Sequence, residues 1–541
     1  MNGKLVSIKQ LLGYSILAIL SGLSGFLFII YINKVIELSI SSRFPKENNF
    51  SLIFSIIIML FFISRRLLSE GIINLSQEIF WSNRKDIIQL VLKASFQKVV
   101  EYKDEVYSTL TSDVNNITYA SLLIIDFISS IILIITSLIY MLFLSDILFV
   151  YSMIIISIGI IIYLIIAKIG NRQFMIVREL EQDFMGFFNS ILNGVKEINV
   201  NPAKGEDIYK KIIPIVDKGK LNNIKAYINF LNSQLISQIL FYGVIAFILI
   251  NSVNQLGVEL NIMISFVFIL LYLLGPIVTV MATIPALSRA KISYKKLTKL
   301  KKDLHQLDMN LKIDTSQKNN FHNFKNIEFK NYTFSFDKGS FSIGPINLKI
   351  CRNEIIFIYG GNGSGKTTFI NSLLNLYNID AGEVLIDNKL IPTKEVNQVK
   401  KLFSPIFSDF HLFDEFYGIN NIDLKKAAYY LKVFELEKKV SVKGNRFSTI
   451  DLSMGQRKRL ALISTILENR PILILDEWAA DQDPYFRKKF YTEILHKIVK
   501  EENKTIIAIT HDDKYYNEAD RLFRMEDGQL INKSTSSKLV L

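Results

Sequence analysis

The chain has 541 residues, enough for more than one domain, with a formal net charge of +13 and 50% hydrophobic residues. Its single cysteine, Cys351, excludes an intrachain disulfide and a cysteine-based metal cluster, and reads as a small buried hydrophobe. Mean hydropathy is +0.28, but the apolar residues crowd before residue 290, in runs too long for soluble helices.

A membrane-spanning helix needs about 20 mainly apolar residues. Six stretches qualify: 11–32, 50–71, 121–144, 147–167, 228–250 and 261–284. The first follows Lys4 and Lys9, as a signal peptide would, but its apolar run is too long and no small-residue cleavage site follows clearly. An uncleaved span is expected. Basic residues stay on the cytoplasmic side and so set the orientation. Seven Lys and Arg lie in 65–120 and ten in 168–227, and Arg289, Lys291, Lys295, Lys296 and Lys299 follow the sixth stretch. The turn at Ser145–Asp146 and the loop 252–260 carry none, while 33–49, with Lys34, Arg43 and Lys46, runs mildly against the trend. Both termini and the two long basic loops are therefore expected in the cytoplasm. This accounts for the positive charge without nucleic acid, which is not an expected partner. Those loops keep helical spacing, as in Ile87–Leu92, and read as spans extended into the cytosol. Such stalks would carry force between the membrane and a cytosolic motor.

Polar groups inside spans usually face a bundle interior or a water-filled cavity. Gln234, Gln238 and Tyr242 fall at i, i+4 and i+8 on one face, fitting either a solute pathway or interhelical hydrogen bonds. Asp126 lies about one turn into the third span; it is either an interfacial carboxylate reaching water or a substrate or proton site. Gly275–Pro276 in the sixth span should kink it.

Residues 303–326 lose the apolar runs and turn rich in Asn, Lys and Gln, marking a linker between a membrane domain (1–302) and a cytosolic one (327–541). Ile327–Phe336 alternates as a half-buried strand, and Phe336 either packs in a core or stacks on a base. Ile355–Tyr359 is an apolar run typical of a buried parallel strand. It leads into Gly360–Thr368 (G-G-N-G-S-G-K-T-T), which matches the phosphate-loop pattern G-x-x-x-x-G-K-[ST] and precedes a helically spaced run. Backbone N–H groups around Gly360, Asn362, Gly363, Ser364, Gly365 and Thr368 would close on a polyphosphate. Lys366 would reach the β- and γ-phosphates, and the Thr367 hydroxyl would hold Mg²⁺. Downstream, Leu452–Gln456 (L-S-M-G-Q) opens a helical run beside Arg457, Lys458 and Arg459, a further favourable anion site. Ile472–Glu477 is a buried strand ending in two acids, with Asp476 placed for Mg²⁺ and Glu477 to orient or activate water. A last buried strand, Thr505–Thr510, ends at His511, where ligands bind in α/β sheets.

Together these residues resemble the ATP-binding cassette (ABC) transporter family over essentially the whole chain. The resemblance implies an all-α six-helix membrane domain and a cytosolic α/β P-loop domain with a helical subdomain, using ATP and Mg²⁺. Gly360–Thr368 then looks like Walker A, Asp476 the Walker B acid, Glu477 the catalytic glutamate and His511 the switch histidine. Asp483 matches the D-loop, Phe336 the aromatic that stacks on adenine, and Ser453, Gly455 and Gln456 the signature that reaches a partner's ATP. One cassette with six spans implies a half-transporter working as a homodimer. Two departures stand out. Ser408 replaces the family's usual Gln at a Mg²⁺-touching position, where a hydroxyl can still ligate metal. The run 476–484 reads D-E-W-A-A-D-Q-D-P and, with F-S-D-F-H-L-F at 407–413, Gly344–Leu348 and Leu192–Ile198, resembles the cyclic peptide exporters of the pyoverdine and syringomycin type. The expected function is ATP-driven export of a peptide-like cargo across a bacterial cytoplasmic (inner) membrane, in contact with its lipids. The rivals are a lipid or lipopeptide flippase of the same architecture and, of another class, an ATP-gated channel or sensor.

Overall fold

A computed structural model describes residues 8–40, 50–251, 257–305, 323–336, 341–392, 396–419 and 421–533. The chain forms two compact units: Met1–Ala94 with Lys98–Leu307, and Ser95–Gln97 with Asp308–Leu541. The expected linker, 303–326, lies mostly outside the described residues.

The helical part of the chain runs through α1 (Ile8–Ile40), α2 (Phe50–Lys93), α3 (Phe96–Glu101), α4 (Lys103–Ser108), α5 (Val114–Leu144), α6 (Asp146–Asn193), α7 (Val195–Val200), α8 (Pro202–Asn251) and α9 (Leu260–His305). A π-helical turn, Thr109–Asp113, joins α4 to α5. Among the described residues six helices are long and apolar enough to cross a membrane, and the six expected stretches fall on them. α2, α6, α8 and α9 have 44, 48, 50 and 46 residues, about twice what a bilayer needs, so they continue far beyond their apolar stretches. α9 stays helical through Pro276 and Pro285, as spanning helices can when neighbours satisfy the freed carbonyls. Ser145 ends one span and caps the next, its side chain accepting from the Leu148 N–H at 3.4 Å.

Small residues let these helices approach. A Cβ on Gly170 of α6 would sit 2.7 Å from the Phe230 ring of α8, so only hydrogen fits there. The Tyr163 hydroxyl of α6 donates to the Met281 carbonyl of α9 at 3.1 Å. Phe62, Phe143, Ile161 and Leu164 stay exposed on the helices, as lipid contact allows. Asp126 forms an ion pair with Arg65 of α2, and its side chain stays 42% exposed. Gln234 and Gln238 are half-buried on α8, and Tyr242 is exposed.

The second unit holds two main sheets. β1 (Asn326–Ser335), β2 (Ser342–Cys351), β4 (Ala381–Ile386) and β5 (Lys389–Leu390) form an antiparallel sheet in the order β2-β1-β4-β5. The larger sheet has the order β12-β11-β3-β10-β9-β6, from β3 (Ile355–Tyr359), β6 (Phe403–Ile406), β9 (Ile472–Asp476), β10 (Thr505–Ile509), β11 (Arg521–Glu526) and β12 (Gln529–Lys533). It is parallel except for the edge pair β11–β12. A small hairpin pairs β7 (Val442–Lys443) with β8 (Arg446–Phe447). Helices α10 (Lys366–Leu373), α11 (Val396–Val399), α12 (Leu424–Val433), α13 (Met454–Leu467), α14 (Pro484–Lys489) and α15 (Leu495–Glu502) complete the unit.

Strand alternation splits the apolar residues of the parallel sheet between two cores. Phe357, Leu473, Leu475 and Ala508 enter one core with Tyr430, Leu462 and Phe490. Ile356, Ile358, Ile474 and Ile507 enter the other with Phe329, Leu348 and Phe369. That is why the inner strands read as continuous apolar runs. Cys351 is half-buried at the end of β2 rather than fully buried.

Candidate nucleotide site

β3, β10, β9 and β6 end along one edge of the sheet, and each delivers a polar group there. Ile509 is opposite both Ile358 and Asp476, so the phosphate loop, Asp476–Glu477 and His511 leave the sheet at one level. Ser408 follows β6 two residues on. Ligands bind at this edge in open α/β sheets.

The loop needs its glycines. Gly365 has φ +102°, and a Cβ on Gly360 would lie 2.2 Å from the Met525 carbonyl oxygen. Lys366 is buried and its Nζ donates to the Gly360 and Gly361 carbonyls, at 2.9 Å each. Ser364 Oγ is buried without a partner, whereas Asn362, Gly363 and Thr367 are exposed. The Thr368 carbonyl accepts from the Ser372 hydroxyl inside α10 at 2.9 Å.

Asp476 is 1% exposed, and its Oδ2 has no partner. Burial foremost, then the Glu477 charge, pushes its carboxyl above the usual carboxylate range. Hydrogen bonds from the Ser408 backbone and side chain, and the Lys366 charge, pull it the other way. A buried carboxylate with a free oxygen, beside the Ser408 hydroxyl, suits a hard divalent cation. The donor set therefore fits Mg²⁺.

Glu477 has φ +50°, uncommon for this residue type and a form of strain that clusters at functional sites. Three contacts hold it. Its N–H donates to the Ile509 carbonyl at 3.1 Å, its carbonyl accepts from Lys458 Nζ at 2.9 Å, and its Oε1 lies 3.1 Å from His511 Nε2.

The signature residues sit elsewhere. Ser453 is exposed just before α13, with Gly455 and Gln456 half-buried in its first turn. A Cβ on Gly455 would lie 2.5 Å from the Asp481 carbonyl oxygen. Gln482 donates to the Gly455 carbonyl at 3.0 Å and accepts from Arg459 Nε at 2.8 Å. Asp483 caps α14 through the Phe486 N–H at 2.9 Å and accepts from Arg459 Nη2 at 3.0 Å. That N–H, with Arg459, holds the Asp483 carboxyl below the usual carboxylate range.

Of the three cations beside the expected anion site, two are engaged: Lys458 with Asp481 at 2.6 Å and with Glu477, Arg459 with Asp483. Among the described residues no hydrogen bond or ion pair joins Ser453, Gly455 or Gln456 to residues 360–368. Phe336 follows β1 and is 37% exposed, its ring edge-on to Tyr377 at 5.7 Å. Lys458 and Gln482 brace the post-strand turn; for Lys458 the sequence signal is a basic run leading straight into the apolar stretch Leu460–Ile463.

The profile described as ABC transporter matches residues 343–480. The ATP-binding protein SyrD of Pseudomonas syringae pv. syringae is 30% identical over 442 residues, covering 79% of this chain and 78% of that protein. The chain belongs to the ABC transporter family. A second relative, the energy-coupling factor transporter ATP-binding protein EcfA1 of Oenococcus oeni, is 30% identical over 225 residues, 40% of this chain and 81% of its own length. The solved structure of a bacterial Atm1-family ABC exporter with ATP bound superposes with a TM-score of 0.78 at 13% identity, over 98% of this chain and 95% of that one. The ABC chain is thus a half-exporter: six membrane-spanning helices fused to one ATP-binding cassette that couples ATP hydrolysis to transport.

Proposed function

We propose that two copies of this half-exporter pair head to tail, with Ser453, Gly455, Gln456 and Asp483 of one copy covering ATP on Gly360–Thr368 of the other. Among the described residues no hydrogen bond or ion pair joins these two clusters within one chain, which supports that reading. Phe336 stacks on adenine. Lys366 would turn from its carbonyls to the phosphates, and Thr367, Asp476 and Ser408 would hold Mg²⁺, which would neutralise phosphate charge. Glu477 orients the attacking water and accepts its proton; His511 steadies the Glu477 carboxylate and, with Lys366 and Ser453, the transferring phosphoryl group.

The observation that carries this mechanism is the Glu477–His511 contact at 3.1 Å beside buried Asp476. Glu477→Gln is expected to keep ATP binding and lower turnover by about a hundredfold or more in lipid nanodiscs. Turnover close to the parent's would overturn the assigned role.

The cargo is peptide-like, exported outward across a bacterial inner membrane from a cytoplasmic cassette. The similarity to SyrD spans 442 residues, more than the whole cassette, and so extends into the helical part that selects cargo. One observation favours lipid instead. An apolar cavity of about 430 Å³ lies between α1, α2 and α5, lined by Ile72, Ile79, Ile125 and Ile128. ATPase stimulation by lipids and by no peptide would select the flippase.

A further inference from the structure

A buried polar network ties four helices of the first unit, α4, α5, α6 and α9, together. Arg178 of α6 grips Asp113 through Nε at 3.1 Å and Nη2 at 2.8 Å, and Nη2 also reaches Ser108 Oγ at 3.2 Å. Ser293 of α9 donates to Asp113 Oδ1 at 2.8 Å, and Asn116 of α5 donates to Ser293 at 3.3 Å. Asp113 is 0% exposed and Arg178 7%, so both charges are removed from water and fully matched.

Beside this network lies a polar cavity of about 90 Å³, lined by Asn116, Arg178, Glu181, Asn223 and Arg289 among others. Its cations are not equivalent. Arg178 is held by Asp113, and its remaining nitrogen lies 3.9 Å from Glu181. Arg289 has a buried Nε without a hydrogen-bond partner, and its guanidinium lies 5.5 Å and 5.6 Å from the Phe174 and Tyr227 ring centroids. Aromatic faces steady the cation but leave its in-plane donors unsatisfied. A buried donor without a partner is costly, so a polar, roomy cavity beside it asks for an acceptor.

We propose that this cavity is a carboxylate subsite, with Arg289 as the anchor and the amides of Asn116 and Asn223 completing the contact. Glu181 shares the wall, and its charge lies within reach of both Arg178 and Arg289. With Glu181 already on the wall, a singly charged carboxylate meets the open Arg289 donor with less repulsion than a phosphate dianion would. The lining residues lie just outside the apolar stretches of their four helices, at the ends that the basic loops assign to the cytosol. A peptide-like cargo entering from that side would present its carboxylate here. The source of the carboxylate, though not the subsite, rests on the export reading above.

The test uses the full-length protein in nanodiscs, with its unfolding midpoint followed against acetate or phosphate at constant ionic strength. Acetate should raise the midpoint saturably and phosphate should not. Arg289→Gln should weaken the acetate effect about tenfold or more, while Arg289→Lys, which keeps the charge but loses the planar fork, should weaken it less. Asn223→Ala, at a residue outside the Asp113 network, should weaken it severalfold and guards against a misfolded Arg289 variant. An acetate effect that is absent, or that survives both Arg289→Gln and Asn223→Ala, overturns the subsite. Binding of a peptide and its C-terminal amide then identifies the source. A preference for the acid that disappears in Arg289→Gln supports the cargo carboxylate. A preference that persists puts cargo recognition elsewhere and overturns that source. If no peptide binds while acetate does, the subsite stands for a free small carboxylate and the peptide reading of function falls.

Discussion

The two units handle charge in opposite ways. In the cassette, Asp476, Glu477, His511 and Ser408 gather where parallel strands end, at an edge open to a soluble ligand, and Asp476 keeps a free buried oxygen. In the helical unit, Asp113, Arg178 and Ser293 are shut between helices and satisfy one another. A sheet edge collects groups from short consecutive motifs, because each strand ends at the same level. A helix bundle collects them from residues 65 and 180 positions apart, and only packing brings them together. The motor's chemistry is therefore written locally, and the bundle's is not.

The largest effect expected tests the closed side of that contrast. Arg178→Leu strands Asp113 as a buried charge, and breaking such a pair costs about 3–5 kcal/mol. The full-length variant should melt far below the parent, and adding Asp113→Asn should recover part of the loss. A single variant that melts like the parent would show that Asp113 is not sealed from water.

A buried charge in the cassette gives the next effect, read by pH. Lys504 is 1% exposed, and its Nζ donates to the Arg470 carbonyl at 2.7 Å. Burial foremost, then the Lys426 charge, lowers its amine to about 8, against the pull of Glu502 and Glu468. Below pH 8 the ammonium is charged in both folded and unfolded chains, and the cost of burying it is fully present. As pH rises from about 8 towards 10.5 the folded chain releases that proton first, so this residue's cost is lifted by about 3 kcal/mol. Lys504→Met should remove that rise when its melting curves are compared with the parent's across the same window.

Two smaller effects sharpen the account of the open edge. Gly455→Ala places a methyl 2.5 Å from the Asp481 carbonyl, so the start of α13 must leave the turn it rests on. ATP binding should persist, with turnover down about tenfold. Ser408→Gln restores the residue common in the family at a position already hydrogen-bonded to Asp476. The Mg²⁺ concentration for half-maximal turnover should change by about threefold or less. A larger change would mean that the serine makes a contact the longer amide cannot replace.

The same contrast explains what was legible in the sequence. The spans followed from hydropathy alone, and the phosphate loop from a motif whose strand and helix flank it in order. Asp476, Glu477 and His511 could be placed because the register of β9 and β10 follows from continuous apolar runs. The Arg65–Asp126 pair was not legible, since its members lie 61 residues apart on different helices. In the sequence Lys458 and Arg459 are cations beside a candidate anion site; their turn-bracing role depends on a contact between α13 and residues 477–483. The Asp113–Arg178–Ser293 network was invisible for the same reason.

The most direct test of the central claim is transport itself, measured as ATP-dependent accumulation of a labelled cyclic peptide in inside-out vesicles carrying the full-length protein. The account predicts accumulation that requires ATP and Mg²⁺ and disappears in Glu477→Gln. Equal peptide entry with and without ATP, or lipid movement with no peptide accumulation for any candidate, would contradict it.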